Sequence, residues 1–286
     1  MQCDALKLGV SLCGLINDFP ELLVSAKEIT GMNAPGRPKA TFRLEFESGL
    51  TLKGRRLRSA DDAVKMMNIC SALGSPSLSE IMARNEEALL EKWIDGTPLN
   101  ELSNLTADIL AACGEILGTF HTTSCPGRRD CGPVEIRKRT ENFDAELQEL
   151  ERSNLIPMQT RLRLMRRFGQ GAPSGADTGF IHGDFCAENI VLDTGHILRV
   201  IDNGSLSTGP LEEDLGRTFS RWPMDDRQKA AFLEGYSRHR DPAAFLIHSG
   251  FWIVSALAHS AVVRARADAE GAEALALQLD GHSREK

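Results

Sequence analysis

One stretch decides the fold: Ile181-His182-Gly183-Asp184-Phe185-Cys186-Ala187-Glu188-Asn189. A short apolar strand signal, Phe180-Ile181, feeds a tight loop carrying His, Gly and Asp, and an Asn stands five residues after the Asp. Thirteen residues beyond Asn189, Asp202 closes a second apolar run in Val200-Ile201-Asp202-Asn203-Gly204. Ile190-Val191-Leu192 and Leu198-Arg199-Val200-Ile201 read as two short strands with Asp193-Thr194-Gly195 as the turn between them. Such a hairpin is expected to draw Asn189 and Asp202 together, with Asp184 nearby. Phosphoryl transfer asks a protein for positioning and charge stabilisation, with little covalent work. Magnesium takes hard oxygen ligands, which a carboxylate and an amide carbonyl supply. A separate carboxylate can align or accept a hydroxyl proton. Asp184 suits the aligning role, and Asn189 and Asp202 suit the metal role. Asp and Asn also favour turns for their own backbone hydrogen bonds, but three at this spacing, each bordering an apolar strand, argue for chemistry.

Working towards the N-terminus, Ala40 to Glu47 alternates apolar and polar residues, with Phe42, Leu44 and Phe46 on one face. Ser48-Gly49 makes a turn, and Leu50 to Leu57 resumes the alternation, which predicts a hairpin. Ser59-Ala60-Asp61-Asp62 carries helix-start chemistry, and Ala63, Met66, Met67 and Cys70 continue one face up to Gly74. Glu87 to Ile94 reads as a buried strand closed by Asp95-Gly96-Thr97-Pro98. Beyond Pro98 the patterns lengthen into helices at 107–122, 140–152 and 157–167, then a glycine-rich break at 171–178. From Leu211 the chain reads as mostly helical. The expected boundary separates residues 1–94, a small sheet-bearing part, from residues 95–286, a larger helical part.

Composition narrows the function classes. The chain has 286 residues, 42% hydrophobic and 26% charged, which is ordinary globular usage. Thirty-three Lys and Arg against 40 Asp and Glu give a net charge of -7, so no nucleic acid polymer is expected as partner. Seven cysteines, an odd number without a CxxC, argue against a disulfide framework and for a reducing, cytoplasmic setting. Cys125 and Cys131 read as loop thiols. No basic segment followed by an apolar run opens the sequence, and the most apolar stretch, Phe251 to Val263, is too short to span a bilayer; neither a leader nor membrane insertion is expected.

At His182-Gly183-Asp184 with Asn189, Ile201-Asp202, and Glu213-Asp214-Leu215-Gly216, the sequence resembles the aminoglycoside phosphotransferase and choline kinase-like family, relatives of the protein kinases. Leu90 to Leu99 is similar to that family's hinge, and Leu117-Gly118-Thr119-Phe120-His121 to the end of the helix before its catalytic region. The resemblance runs from about Gly31 to Arg221 and concentrates between residues 181 and 216. It implies an α+β, two-lobed protein-kinase-like fold, with residues 1–94 as nucleotide-binding lobe and 95–286 as catalytic and acceptor-binding lobe. It implies an ATP- or GTP-dependent, magnesium-requiring phosphotransferase acting on a hydroxyl of a small molecule, such as a sugar, an aminoglycoside-like compound or an amino alcohol. Asp184 is then the catalytic base, and Asn189 and Asp202 bind magnesium. Glu91 and Trp93 offer backbone groups to the purine. His182 and Asp214 brace the catalytic loop.

The departures from that pattern are specific. No GxGxxG precedes the hairpin, and Gly31-Met32-Asn33-Ala34-Pro35-Gly36 is the only candidate phosphate-covering loop. Lys53 is placed as the third-strand lysine that pairs the phosphates, although Arg55, Arg56 and Arg58 crowd it and could substitute. The following helix offers no glutamate partner, and Asn203-Gly204 follows Asp202 where many relatives carry a bulkier residue. These gaps motivate an alternative, a catalytically weak nucleotide-binding pseudokinase with a regulatory role. Cys186 reads as filler, since nothing supports a cysteine nucleophile. Phe219 to Met224 with Tyr236 read either as an acceptor pocket or as core packing.

Overall fold

The structure is a computed structural model that describes residues 8–29, 40–57, 59–124, 130–131, 133–170, 172–267 and 271–284. Two compact units make up the chain: residues 1–98 with 190–204, and residues 99–189 with 205–286. In chain order the elements begin with α1 (Val10–Asn17), β1 (Leu23–Glu28), β2 (Ala40–Phe46), β3 (Thr51–Arg56), α2 (Ala60–Leu73), β4 (Ile81–Arg84), β5 (Ala88–Lys92) and β6 (Gly96–Pro98). There follow α3 (Ala107–Thr122), β7 (Asp130–Cys131), α4 (Pro133–Arg152), α5 (Met158–Leu164), β8 (Ala176–Ile181), β9 (Ile190–Asp193), β10 (Leu198–Val200) and β11 (Ser207–Pro210). The chain closes with α6 (Leu211–Arg221), α7 (Asp226–Ser237), α8 (Ala243–Ile247), α9 (Ser249–Arg266) and α10 (Ala272–Arg284).

In the first unit, β1-β2-β3-β5-β4 form an antiparallel sheet. The alternation of the predicted hairpin is its cause: Phe42, Leu44 and Phe46 are buried, and Leu44 lies opposite Leu52 across β2 and β3. Burying such side chains is worth about 1.5–3 kcal/mol each. Helix α2 starts where the caps place it, with the Ser59 hydroxyl accepting from the Asp62 N–H, and ends at Gly74 in the left-handed conformation. Three elements have no clear pattern in the sequence. Helix α1 is only eight residues, yet buries Leu12, Cys13, Leu15 and Ile16 in the sheet's core cluster. Strands β1 and β4 are the sheet edges, so most of their side chains are not buried and alternation has no core to report. A second, three-stranded sheet joins β10, β9 and β6, with the turn as expected: the Asp193 carboxylate accepts from the Gly195 and Ile197 N–H groups.

In the second unit, α3 packs along α7 and α6 packs along α9. The glycine-rich break at 171–178 is partly a strand, since β8 begins at Ala176 and pairs with β7 and β11. Phe219, Trp222, Met224 and Tyr236 are buried, and the rings of Phe219 and Trp222 meet Phe232 edge-on, which resolves their double reading in favour of core packing. Among the described residues no helix is long and apolar enough to cross a membrane. Cys13, Cys70, Cys113 and Cys186 are free thiols. The candidate phosphate-covering loop at 31–36, Arg58 and Cys125 lie outside the described residues.

Candidate active site

The loop after β8 is held by its backbone. The buried Asp214 carboxylate, near the start of α6, accepts from the His182 N–H at 2.8 Å through Oδ2 and from the Gly183 N–H at 2.8 Å through Oδ1. His121 Nε2 lies 3.1 Å from the same Oδ2, and its Nδ1 lies 2.8 Å from the Tyr236 hydroxyl. Burial pushes the Asp214 carboxyl up, but His121, His182 and the backbone N–H outweigh it and hold the group below the usual carboxylate range. Gly183 sits at φ 75, where a side chain is disfavoured, and a Cβ there would lie 3.0 Å from the Ser205 carbonyl oxygen. The loop is thus pinned at two consecutive N–H groups just before Asp184.

Asp184 is pinned in turn. Its Oδ2 accepts from Asn189 Nδ2 at 3.0 Å, and its backbone oxygen accepts from the same nitrogen at 2.9 Å. Its Oδ1 accepts from Arg221 Nη1 at 2.7 Å, and Arg221 Nη2 reaches Glu188 at 3.2 Å. Arg221 was not anticipated. A signal was present, since it lies seven residues after Asp214, on the same face of one helix. Arg217, on that face too, donates to the Gly183 carbonyl at 3.2 Å. Cys186 is buried, and burial pushes its thiol up to about 12, so it is no nucleophile.

The other sequence-predicted residues gather in the first unit. Asp202 has a left-handed backbone, φ 56, uncommon outside glycine. Its Oδ1 accepts from Arg55 Nη2 at 2.7 Å and stands 3.9 Å from Lys53 Nζ. Arg55 Nε stands 2.7 Å from Glu91 Oε2. Arg55 is 5% exposed and Glu91 1%, so this close approach of opposite charges lies inside the protein. Burial alone lowers the Arg55 pKa, but Glu91 and Asp202 together raise it above the usual arginine value. Lys53, at 15% side-chain exposure, is not a solvated strand lysine. The backbone of Glu91 lies inside the sheet, between β3 and β4. Trp93 follows the strand: its N–H donates to the Thr51 carbonyl at 3.2 Å, its indole N–H to Asp95 at 3.0 Å, and Arg43 covers its ring at 5.2 Å. Trp93 also lines a cavity of about 800 Å³ with Cys70, Lys92, Asp95, Asp193 and Arg199, which shares no residue with the Arg55 cluster.

Asp202 and Asn189, each within its own unit, carry hard oxygen donors of the kind magnesium takes. Asp202 is half-exposed, at 52% of its side chain, and already faces cations. The Asn189 amide nitrogen is committed to Asp184, which leaves its carbonyl oxygen as the hard donor. Among the described residues no group of three or more His, Cys, Asp and Glu forms a closed metal cage.

A sequence model described as "Phosphotransferase enzyme family" matches residues 50–246. No curated protein sequence matches the chain. Among solved structures, a choline kinase from Cryptosporidium parvum is 15% identical, with 91% of this chain and 87% of that one covered and a TM-score of 0.63. A macrolide 2'-phosphotransferase from Brachybacterium faecium is 14% identical over 93% and 94%, with a TM-score of 0.62. A spectinomycin phosphotransferase in complex with ADP and spectinomycin is 12% identical over 93% and 90%, with a TM-score of 0.59. Those likenesses show the α+β, protein-kinase-like fold that the residues around Asp184 led us to expect. As the matched stretch covers well over half of the sequence, the chain belongs to the phosphotransferase enzyme family.

Proposed function

We propose that the protein transfers the γ-phosphoryl group of ATP or GTP to a hydroxyl of a small molecule: a sugar, an aminoglycoside-like compound or an amino alcohol. The observation that carries this reading is the fixation of Asp184, both of whose carboxylate oxygens are held, on a loop whose backbone Asp214 clamps. A carboxylate fixed in this way can align a hydroxyl and take its proton. The acceptor oxygen bonds to the γ-phosphorus, the bond from that phosphorus to the β–γ bridging oxygen breaks, and the nucleoside diphosphate leaves with the electron pair. The acceptor's proton passes to Asp184. Asp202 and the Asn189 carbonyl are the residues that would hold magnesium, which when bound offsets the charge of the phosphates. Lys53 and its arginine neighbours supply cations on the nucleotide side. The neighbours named for choline kinase, macrolide and spectinomycin phosphotransferase activity support a small-molecule acceptor. Of the gaps behind the pseudokinase alternative, the missing GxGxxG and the glutamate missing from α2, the second is matched by a buried carboxylate beside the β3 cations, on β5. The test is an acceptor screen with ATP and with GTP, following nucleoside diphosphate release. Acceptor-dependent release supports the reading; no release with any acceptor class, from a protein that is folded, sinks it.

A further inference from the structure

One cavity plays no part in the proposed phosphoryl transfer. It holds about 800 Å³, within the usual size of a small-molecule pocket, and every residue that lines it belongs to the first unit. Its walls are the C-terminal half of α2, the linker from α2 to β4, the end of β5 with the segment after it, and the hairpin of β9 and β10. These walls are tied to one another. The Val200 N–H donates to the Ser77 carbonyl at 2.7 Å, the Lys92 N–H donates to the Glu80 carbonyl at 2.8 Å, and Arg199 donates to the Pro76 carbonyl. The space is therefore built into the unit. Met67, Cys70, Leu78, Ile81, Trp93 and Ile94 line it, and each is only half-buried. Six such residues around one hollow leave apolar surface that an apolar body would cover.

The charges around the cavity select its ligand. Glu80, Asp95 and Asp193 stand against Lys92 and Arg199. Arg199 Nε donates to Asp193 at 2.9 Å, so those two charges offset each other. Two exposed carboxylates, Glu80 and Asp95, then remain against one exposed ammonium, Lys92. Trp93 gives the second observation. Asp95 Oδ1 accepts from its indole N–H at 3.0 Å, and the Arg43 guanidinium lies over its ring at 5.2 Å. A carboxylate is thus fixed beside an aromatic ring that already draws one cation, a combination that recognises an organic ammonium. The net charge of -7 works in the same direction. We propose that this cavity is a binding site for an amphipathic organic cation: an ammonium group on an aromatic or aliphatic body, with Asp95 and Glu80 as its anionic side and the half-buried apolar residues as its floor. The cavity shares no residue with the Asp184 loop or the Arg55 cluster, so it stands whether or not the phosphotransferase reading does.

The experiment is a calorimetric titration of the full chain with phenethylamine, with 2-phenylethanol and phenylacetate as neutral and anionic probes of similar shape. Alkylation of Cys70 by iodoacetamide, followed by peptide mass mapping, reports the location. Cys70 lines the cavity and burial pushes its thiol up to about 11, so its modification is slow and an occupant blocks it; the buried Cys13 and Cys113 are internal references. Phenethylamine binds about 10-fold or more tighter than phenylacetate. At ten times its Kd it slows Cys70 alkylation about 10-fold. The double variant Glu80→Gln, Asp95→Asn weakens phenethylamine about 5-fold or more, and its asparagine keeps an oxygen for the Trp93 indole. Lys92→Gln tightens phenethylamine about 2-fold, a gain that misfolding cannot produce. Equal affinity for the three probes overturns the proposal, as does binding that leaves Cys70 unprotected. A double variant that unfolds like wild type and binds phenethylamine equally well overturns it too. So does an absence of binding to wild type at about 10 mM. Displacement of phenethylamine by saturating ADP with magnesium would assign the cavity to the nucleotide, which overturns this proposal and leaves the phosphotransferase reading standing.

Discussion

Two charged clusters carry the candidate chemistry, and they are built in opposite ways. Around Asp184 the anchor is backbone: Asp214 takes two consecutive N–H groups, and the side chains that follow fall into place over a nine-residue loop. Around Asp202 the anchor is ionic: Arg55 on β3 pairs with Glu91 on the neighbouring β5 and with Asp202 after β10 through their side chains. Hydrogen bonds from backbone to a buried carboxylate fix a loop to one geometry at the rotamer cost of one short side chain. Ion pairs between long side chains leave one end adjustable, which suits a place where phosphates of a transient ligand must be received. Under the proposed function, the first cluster would serve rigidity and the second the exchange of partners.

The sharpest way to break that contrast is to remove the anchor of the rigid cluster. Asp214→Ala leaves two loop N–H groups and His121 without their buried acceptor and is expected to destabilise the protein by about 3–5 kcal/mol, read from urea unfolding. A loss under about 1 kcal/mol would mean that the loop is held by something else. Arg221→Ala comes next. It frees one oxygen of Asp184 and should lower turnover about 10-fold with nucleotide binding little changed, and Arg221→Lys should recover part of the loss. If Arg221→Ala instead weakens ADP binding and spares turnover, Arg221 belongs to the exchange cluster.

Acid gives a finer comparison. Asp214 titrates below its unfolded value, so its contribution to stability is complete above the unfolded carboxylate pKa of about 3.9 and is lost as pH falls towards the lower folded value. Wild type should therefore lose its stability advantage over Asp214→Asn only as pH is lowered below about 4. An advantage that stays constant over that range would place the anchoring elsewhere. The smallest effect is expected at an exposed pair: Arg266, 61% exposed at its side chain beside Glu149, should be replaceable by alanine at a cost under about 1 kcal/mol.

The two clusters were unequally legible in the sequence for the same reason that they differ physically. Residues 181–189 are consecutive, and the spacing of Asp184, Asn189 and Asp202 points to the proposed chemistry without any knowledge of the fold. Asp214 is readable because an acid in the first turn of a helix is common, and its pairing with the loop follows the family resemblance. Arg55, Glu91 and Gly204 are separated by 36 and 113 residues; the register of β3 against β5 sets Glu91 opposite Lys53, and only the side-chain geometry brings Arg55 to Glu91 and to Gly204. Sequence spacing favoured Lys53, because alternation places both cations on one face and cannot say which reaches Asp202. The fold was read best where a core imposes a pattern, as in Phe42, Leu44 and Phe46. It was missed at β1 and β4, which are edges, and at α1, which is short. The return of residues 190–204 to the sheet-bearing unit is a tertiary event with no local signature.

The most direct test of the account is the rate of nucleoside diphosphate release by Asp184→Asn against wild type, with the best acceptor found and saturating nucleotide and magnesium, beside a titration of each protein with ADP. Asparagine keeps the size of the side chain and removes its capacity to take a proton. The account predicts that ADP binds both proteins alike while turnover falls about 10²–10⁴-fold. Turnover equal to wild type in the substituted protein would contradict it.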